Sequence, residues 1–112
     1  MKGVNLGEFE ELVLLMVGVM YAEAYGVALQ KGIEEQTGRS VKISAVHSAL
    51  QRLARKGHVT SQMGGASASR GGRRKRLFNL TDSGKKVIEH RRQERVKLWE
   101  MMPRLTSRPA LA

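Results

Sequence analysis

The chain has no cysteine, so neither a disulfide framework nor a thiolate metal site is open to it. Its three histidines, His47, His58 and His90, include no pair at a helical ligand spacing, and no metal or cofactor is expected. Aromatic residues are scarce, with one tryptophan, two tyrosines and two phenylalanines, which leaves few faces for stacking unpaired bases. Asp82 is the only aspartate. No nucleophile, base and oxyanion donor converge, and no paired carboxylates occur, so the chain does not read as an enzyme. The longest apolar run, Leu12 to Met20 broken by Gly18, is about half of the ~20 residues a membrane span needs. The N-terminus lacks the cationic start, apolar stretch and small-residue cleavage site of a signal peptide. These absences predict a soluble cytoplasmic protein.

Basic charge is present in excess. The formal net charge is +10, and it is unevenly distributed: residues 1–37 carry −4 and residues 38–112 carry +14. Such a block concentrates a polyanion around itself. Nucleic acid is the leading partner. An anionic membrane is second, but the basic segments lack the broad apolar face of an interfacial helix.

A first helix is expected from Asn5, where Asn5-x-x-Glu8 fits a capping box. Glu8, Glu10 and Glu11 suit the positive end of the helix dipole. Phe9, Leu12, Val13, Met16, Val17 and Met20 recur at helical spacing, while Leu14, Leu15 and Val19 widen the apolar surface. A helix apolar on two sides has two partners to meet, its own core and a second subunit. A second helix is expected over residues 24–37, stopped by Gly38. Gly26 and Gly32 weaken it by ~1 kcal/mol each against alanine, which points to close packing at those positions.

The most informative stretch runs from Lys42 to Gly84. A third helix over residues 44–56 is expected to start with Ser44 as N-cap. At ~100° per residue, Val46, Ala49, Leu50 and Leu53 share one face. Ser44, Ser48, Gln51, Arg52 and Arg55 share the other, with Ala45 and His47 beside them. Glutamine reads adenine, arginine reads guanine, and serine serves either. Two strand-like runs follow, His58 to Met63 and Arg76 to Leu80, joined by GGASASRGGRRK. Hairpin loops usually have two to five residues, so this one needs a purpose. Arg70, Arg73, Arg74 and Lys75 suit a basic wing, residues 64–75, along a phosphate backbone. A nucleotide-binding loop is the rival reading, but no G-x-x-x-x-G-K-[ST] occurs and no helix follows directly. Helix, hairpin and basic loop in this order predict a mainly α chain with a small β-hairpin, a winged helix-turn-helix domain.

A last helix is expected from Thr81, its N-cap, to Pro103. Ile88, Arg95, Trp99 and Met102 fall near a 3.5-residue repeat, the mark of a helix seam. The domain is therefore expected over residues 1–102, with a C-terminal dimerisation helix over 81–102 and a disordered tail over 103–112.

Together these segments resemble the PadR-like family of bacterial transcriptional regulators, over about residues 6–102. LGEFEELVLLMVGVMYAEAYGVAL is similar to the family's first two helices, with Tyr25 and Gly26 at its Tyr-Gly pair. KISAVHSALQRL, followed by Gly57, aligns with S-x-G-T-L-Y-P-x-L-x-R-L. Leu50, Arg52, Leu53 and Gly57 match, and Ala45, His47 and Ser48 depart. GGRRKRLFNLTDSGKK is similar to the family's wing and next helix start.

The resemblance implies a homodimer in which the last helix packs on the partner's first helix. Phe9, Leu12, Met16, Ile88, Arg95, Trp99 and Met102 are the expected interface. Two recognition helices about one duplex turn apart imply an inverted-repeat operator, and the family's members are usually repressors, some released by small aromatic ligands. Tyr25 and Lys42 are further expected contacts to the DNA backbone. Met16, Met20 and Trp99 could form an aromatic- and thioether-lined effector pocket or simply dimer core. The alternative function is a small basic RNA-binding or ribosome-associated protein, which rests on size and charge alone.

Overall fold

The protein, analysed as a computed structural model, is described over residues 5–64 and 75–103. Helix α1 (Glu8–Met20) leads through a 3-10 turn (Tyr21–Glu23) into α2 (Gly26–Thr37) and α3 (Ile43–Arg55). Strands β1 (Val59–Met63) and β2 (Arg76–Leu80) follow, and α4 (Asp82–Met101) closes the chain. This is the expected mainly helical fold with one antiparallel hairpin.

The capping box at Asn5 does not form. Gly7 is the N-cap of α1 and no side chain caps the helix. The glutamates expected at the cap bind other elements instead. Glu8 pairs with Arg39 at 2.7 Å, Glu10 with Arg52 and Lys56, and Glu11 with Arg91 at 3.0 Å. The acidic start of the sequence thus fastens α1 to the α2–α3 turn, to α3 and to α4. Asn5 contributes its carbonyl, which accepts from Lys56 Nζ.

Helix α2 starts two residues later than expected, because Tyr21–Glu23 forms its own turn. Both of its weak positions are crowded. A Cβ on Gly26 would lie 2.7 Å from the ring of His47, and one on Gly32 would lie 2.6 Å from Met16 Cε. Small residues let α2 approach α3 and α1 this closely. Gly38 ends α2 in the left-handed region, at φ 74°.

Helix α3 begins at Ile43 with Lys42 as N-cap, so Ser44 lies inside the first turn and caps nothing. Val46, Ala49, Leu50 and Leu53 are buried as their spacing predicted. They meet Val13, Leu14 and Val17 of α1 and Leu29 and Ile33 of α2 in a single core. Gly57, at φ 81°, reverses the chain so that His58 N–H reaches Leu53 C=O at 2.9 Å.

The hairpin pairs Val59 with Leu80, Ser61 with Phe78 and Met63 with Arg76. Phe78 N–H also donates to Ala24 C=O at 2.9 Å. That bond ties β2 to the α1–α2 turn and sets the hairpin against the helices. Thr81 then caps α4 as expected, accepting from Gly84 N–H at 3.0 Å while its hydroxyl donates to Gly57 C=O at 2.7 Å. The first half of α4 packs home through Val87 and Ile88. From Arg92 onward every described residue is exposed, so the second half projects from the domain.

Candidate nucleic-acid interface

The burial of Val46, Ala49, Leu50 and Leu53 turns the opposite side of α3 to solvent. Ser44, Ser48, Gln51 and Arg55 are all exposed on it. These four form an unbroken polar strip along the helix. Ala45 is half-buried at its edge, and Lys42 is exposed at the N-cap.

Beside the strip lies a cleft of about 640 Å³ between α3, the start of α2 and the hairpin. Its floor is Leu50 and Phe78, and its rim includes His47, Gln51, Lys75 and Arg76. No carboxylate lines it among the described residues. The first turn of α2 opens onto the cleft through Gly26 and Val27, and that turn carries no acidic residue. Unpaired N–H groups and the helix dipole make such a turn attractive to a phosphate. Lys75 Nζ lies 3.8 Å from the centre of the Tyr25 ring. This contact brings the end of the wing segment against the start of α2. Arg76 Nη1 donates to Ser61 Oγ at 3.0 Å across the hairpin.

Of the residues expected at the DNA face, Ser44, His47, Ser48, Gln51 and Arg55 share one exposed surface with Tyr25, Lys42 and Lys75 beside it. Arg52 is turned away from it. Its Nε donates to Glu10 Oε2 at 2.7 Å, on the α1 side of α3. Arg70, Arg73 and Arg74 lie outside the described residues. Arg76 is not expected at the site from the sequence, where it reads as the first residue of a strand, and Glu10 reads there as a helix-start acid. Its place on the stripe Leu6, Glu10, Val13, Val17 marks it as inward-facing, and it is 8% exposed. Burial alone opposes its charge. Hydrogen bonds from Lys56 and Arg52 outweigh that and hold its carboxyl below the usual range.

A polar-faced helix between a helix start and a basic hairpin is the arrangement that places a helix in a major groove. Residues 14–90 match the model of the transcriptional regulator PadR-like family. The chain belongs to the PadR-like family. Members of that family are transcriptional regulators, not enzymes, and this PadR-like chain carries a DNA-binding winged helix. It is similar to a PadR family transcription regulator from Clostridium difficile. They share 29% identity and a TM-score of 0.66, over 81% of this chain and 93% of that one. A padr family regulator from Eggerthella lenta has the same fold at 21% identity and a TM-score of 0.65. That match covers 83% of this chain and 80% of the other. A PadR-like regulator from Bacillus cereus has it at 17% identity and a TM-score of 0.64, covering 80% and 84%. No curated protein matched the chain.

The residues expected at a dimer interface divide into two groups. Arg95, Trp99 and Met102 are exposed on the projecting half of α4, with Trp99 at 62%. Phe9, Leu12 and Ile88 are half-buried against the protomer's core. Met16 belongs to that core, beneath Gly32. Other exposed apolar residues extend the surface. Val96 and Leu98, not singled out in the sequence, flank Trp99 on α4. Leu15 and Val19, expected to widen the apolar surface of the first helix, lie exposed on α1, whereas Leu14, expected with them, is fully buried. Of the three expected effector residues, Met16 and Met20 meet α2 at Gly32, and Trp99 stands exposed on the projecting half of α4.

Proposed function

We propose that the protein is a homodimeric, sequence-specific repressor that binds an inverted-repeat operator. The observation that carries this reading is the exposed strip Ser44, Ser48, Gln51 and Arg55 beside a cleft rimmed by Lys75 and Arg76. In this reading Gln51 and Arg55 read base edges, and Ser44, Ser48 and His47 adjust the fit. Lys42, Tyr25, Lys75 and the arginines of the wing, Arg70, Arg73 and Arg74, follow the phosphates on either side. The apolar residues left bare on α4 support the dimer, because a projecting helix with Val96, Leu98, Trp99 and Met102 exposed gains by covering them. A two-fold pair of recognition helices then demands a two-fold operator.

A gel-shift with the promoter region of the protein's own gene tests this reading. Binding should weaken steeply as salt rises and resist competition by random duplex. Equal competition by random duplex contradicts sequence-specific regulation, and preference for structured RNA favours the RNA-binding alternative. Release by an effector is a separate part of the proposal, supported by the exposure of Trp99 next to Met101 and Met102. Titration with planar aromatic compounds should quench its fluorescence and weaken operator binding together. No quenching across a broad set contradicts it.

A further inference from the structure

Arg52 and Lys56 stand in the last turn and at the C-cap of α3. A cation beside a DNA-reading helix can reach a phosphate when no other group holds it. Here both are claimed by Glu10, whose Oε2 accepts from Arg52 Nε at 2.7 Å and whose Oε1 accepts from Lys56 Nζ at 2.6 Å. Lys56 also donates to Asn5 C=O, ahead of α1. At ~100° per residue, Arg52 lies about 70° from the centre of the strip formed by Ser44, Ser48, Gln51 and Arg55. Its flank of α3 faces α1, and the opposite flank, with His47, faces the cleft. Arg55, at the centre of the strip, remains exposed.

A lysine or arginine free to reach a phosphate raises affinity for every sequence alike. Such contacts narrow the ratio between specific and non-specific binding, which is what a regulator depends on. We propose that Glu10 is a specificity-determining positioning residue for DNA recognition. It holds Arg52 and Lys56 against α1, so that they fix the seat of α3 and add no sequence-blind phosphate contacts. The geometry suits that role. The carboxylate is buried between two cations, whose charges more than offset its own toward a phosphate. Both its oxygens are used, so neither cation is held alone. The inference rests on the reading of α3 as the recognition helix.

The test compares the full-length wild type with Glu10→Gln and Arg52→Ala. Each is titrated over a range of salt against a random-sequence duplex and the tightest duplex recovered from a randomised pool. For Glu10→Gln, affinity for the random duplex should rise several-fold. Its log–log salt slope should steepen by about 0.9 for each cation that gains a phosphate. The ratio of specific to random affinity should fall. Arg52→Ala, which keeps Glu10 and Lys56 paired, should leave the salt slope unchanged on both duplexes. A thermal melt accompanies each variant, and Arg52→Ala serves if Glu10→Gln does not fold. A slope shallower by about 0.9 in Arg52→Ala means that Arg52 neutralises a phosphate, and it overturns the proposal. So does an unchanged slope and ratio in a folded Glu10→Gln. A wild type that binds no duplex contradicts the DNA-binding reading itself, a different result from wild-type binding that Glu10→Gln leaves untouched.

Discussion

The ammonium of Lys75 lies 3.8 Å from the centre of the Tyr25 ring. One residue ends the wing segment and the other is the N-cap of α2, so the contact joins the two sides of the proposed groove. A cation over an aromatic face at a partly exposed site contributes roughly 0.5–1 kcal/mol. Lys75→Ala should lower affinity for all duplexes about equally and make the salt slope shallower by about 0.9. Tyr25→Phe, which keeps the ring, should preserve the hairpin's position, and Tyr25→Ala should not. Fluorescence anisotropy with labelled duplex at several salt concentrations measures the affinities.

The start of α4 is fixed by crowding. A Cβ on Gly84 would overlap the carbonyl oxygen of His58, the atom that also accepts from Thr81 N–H at 3.1 Å. Backbone cannot swing aside as a flexible side chain can. Gly84→Ala should therefore cost ~3 kcal/mol. Ser83→Ala loses only the 3.0 Å contact of its hydroxyl with His58 Nδ1, which costs about 1 kcal/mol. Urea denaturation of the three proteins should rank them in that order.

Stability should fall as the medium becomes acid, in two separate steps. Burial, helped by the charge of Lys56, holds the His58 imidazole below its ordinary value of 6.5, against a smaller opposing effect of Glu10. The fold therefore favours neutral His58. Its contribution is complete above 6.5 and is lost as pH falls from there toward the depressed value. Glu10 acts lower down. Its carboxyl is held below the ordinary 4.5, so its contribution is complete above 4.5 and disappears as pH falls through the depressed value. Denaturation midpoints should drop as pH falls below 6.5 in the wild type and much less in His58→Gln. Glu10→Gln should flatten the step below pH 4.5 and, by removing the charge that opposes the His58 shift, slightly enlarge the first.

The projecting half of α4 should be the dimer's handle. Trp99→Glu, or Leu98→Glu beside it, puts a charge where the proposal buries apolar surface, while both residues are exposed in the single chain. Each variant should fold, sediment as a monomer, and bind an inverted repeat at least about tenfold more weakly, because each half-site then binds alone. A dimeric Trp99→Glu of unchanged affinity would place the interface elsewhere.

Much of this was legible in the sequence because the signals are local. The spacing of Val46, Ala49, Leu50 and Leu53 gave the buried face of α3 and hence its open face. Gly38 and Thr81 marked a helix end and a helix start. Local rules failed where distant charges competed. Asn5 and Glu8 have the form of a capping box, but Arg39 takes Glu8 from 31 residues away. Arg52 is polar and adjacent to Gln51, yet Glu10 claims it across 42 residues. Met16 repeats with Leu12 and Met20, but the small size of Gly32 draws it into the core. Spacing along one helix reveals a face; it does not reveal which element will cover that face.

The claim that this chain reads DNA through α3 is tested most directly by selection from a fully randomised duplex pool with the wild-type protein, read out by sequencing the bound fraction. Enrichment of an inverted repeat with half-sites about one helical turn, ~10 base pairs, apart, lost in Gln51→Ala with Arg55→Ala, is the predicted result. No enriched sequence, or enrichment that the double variant leaves unchanged, would contradict it.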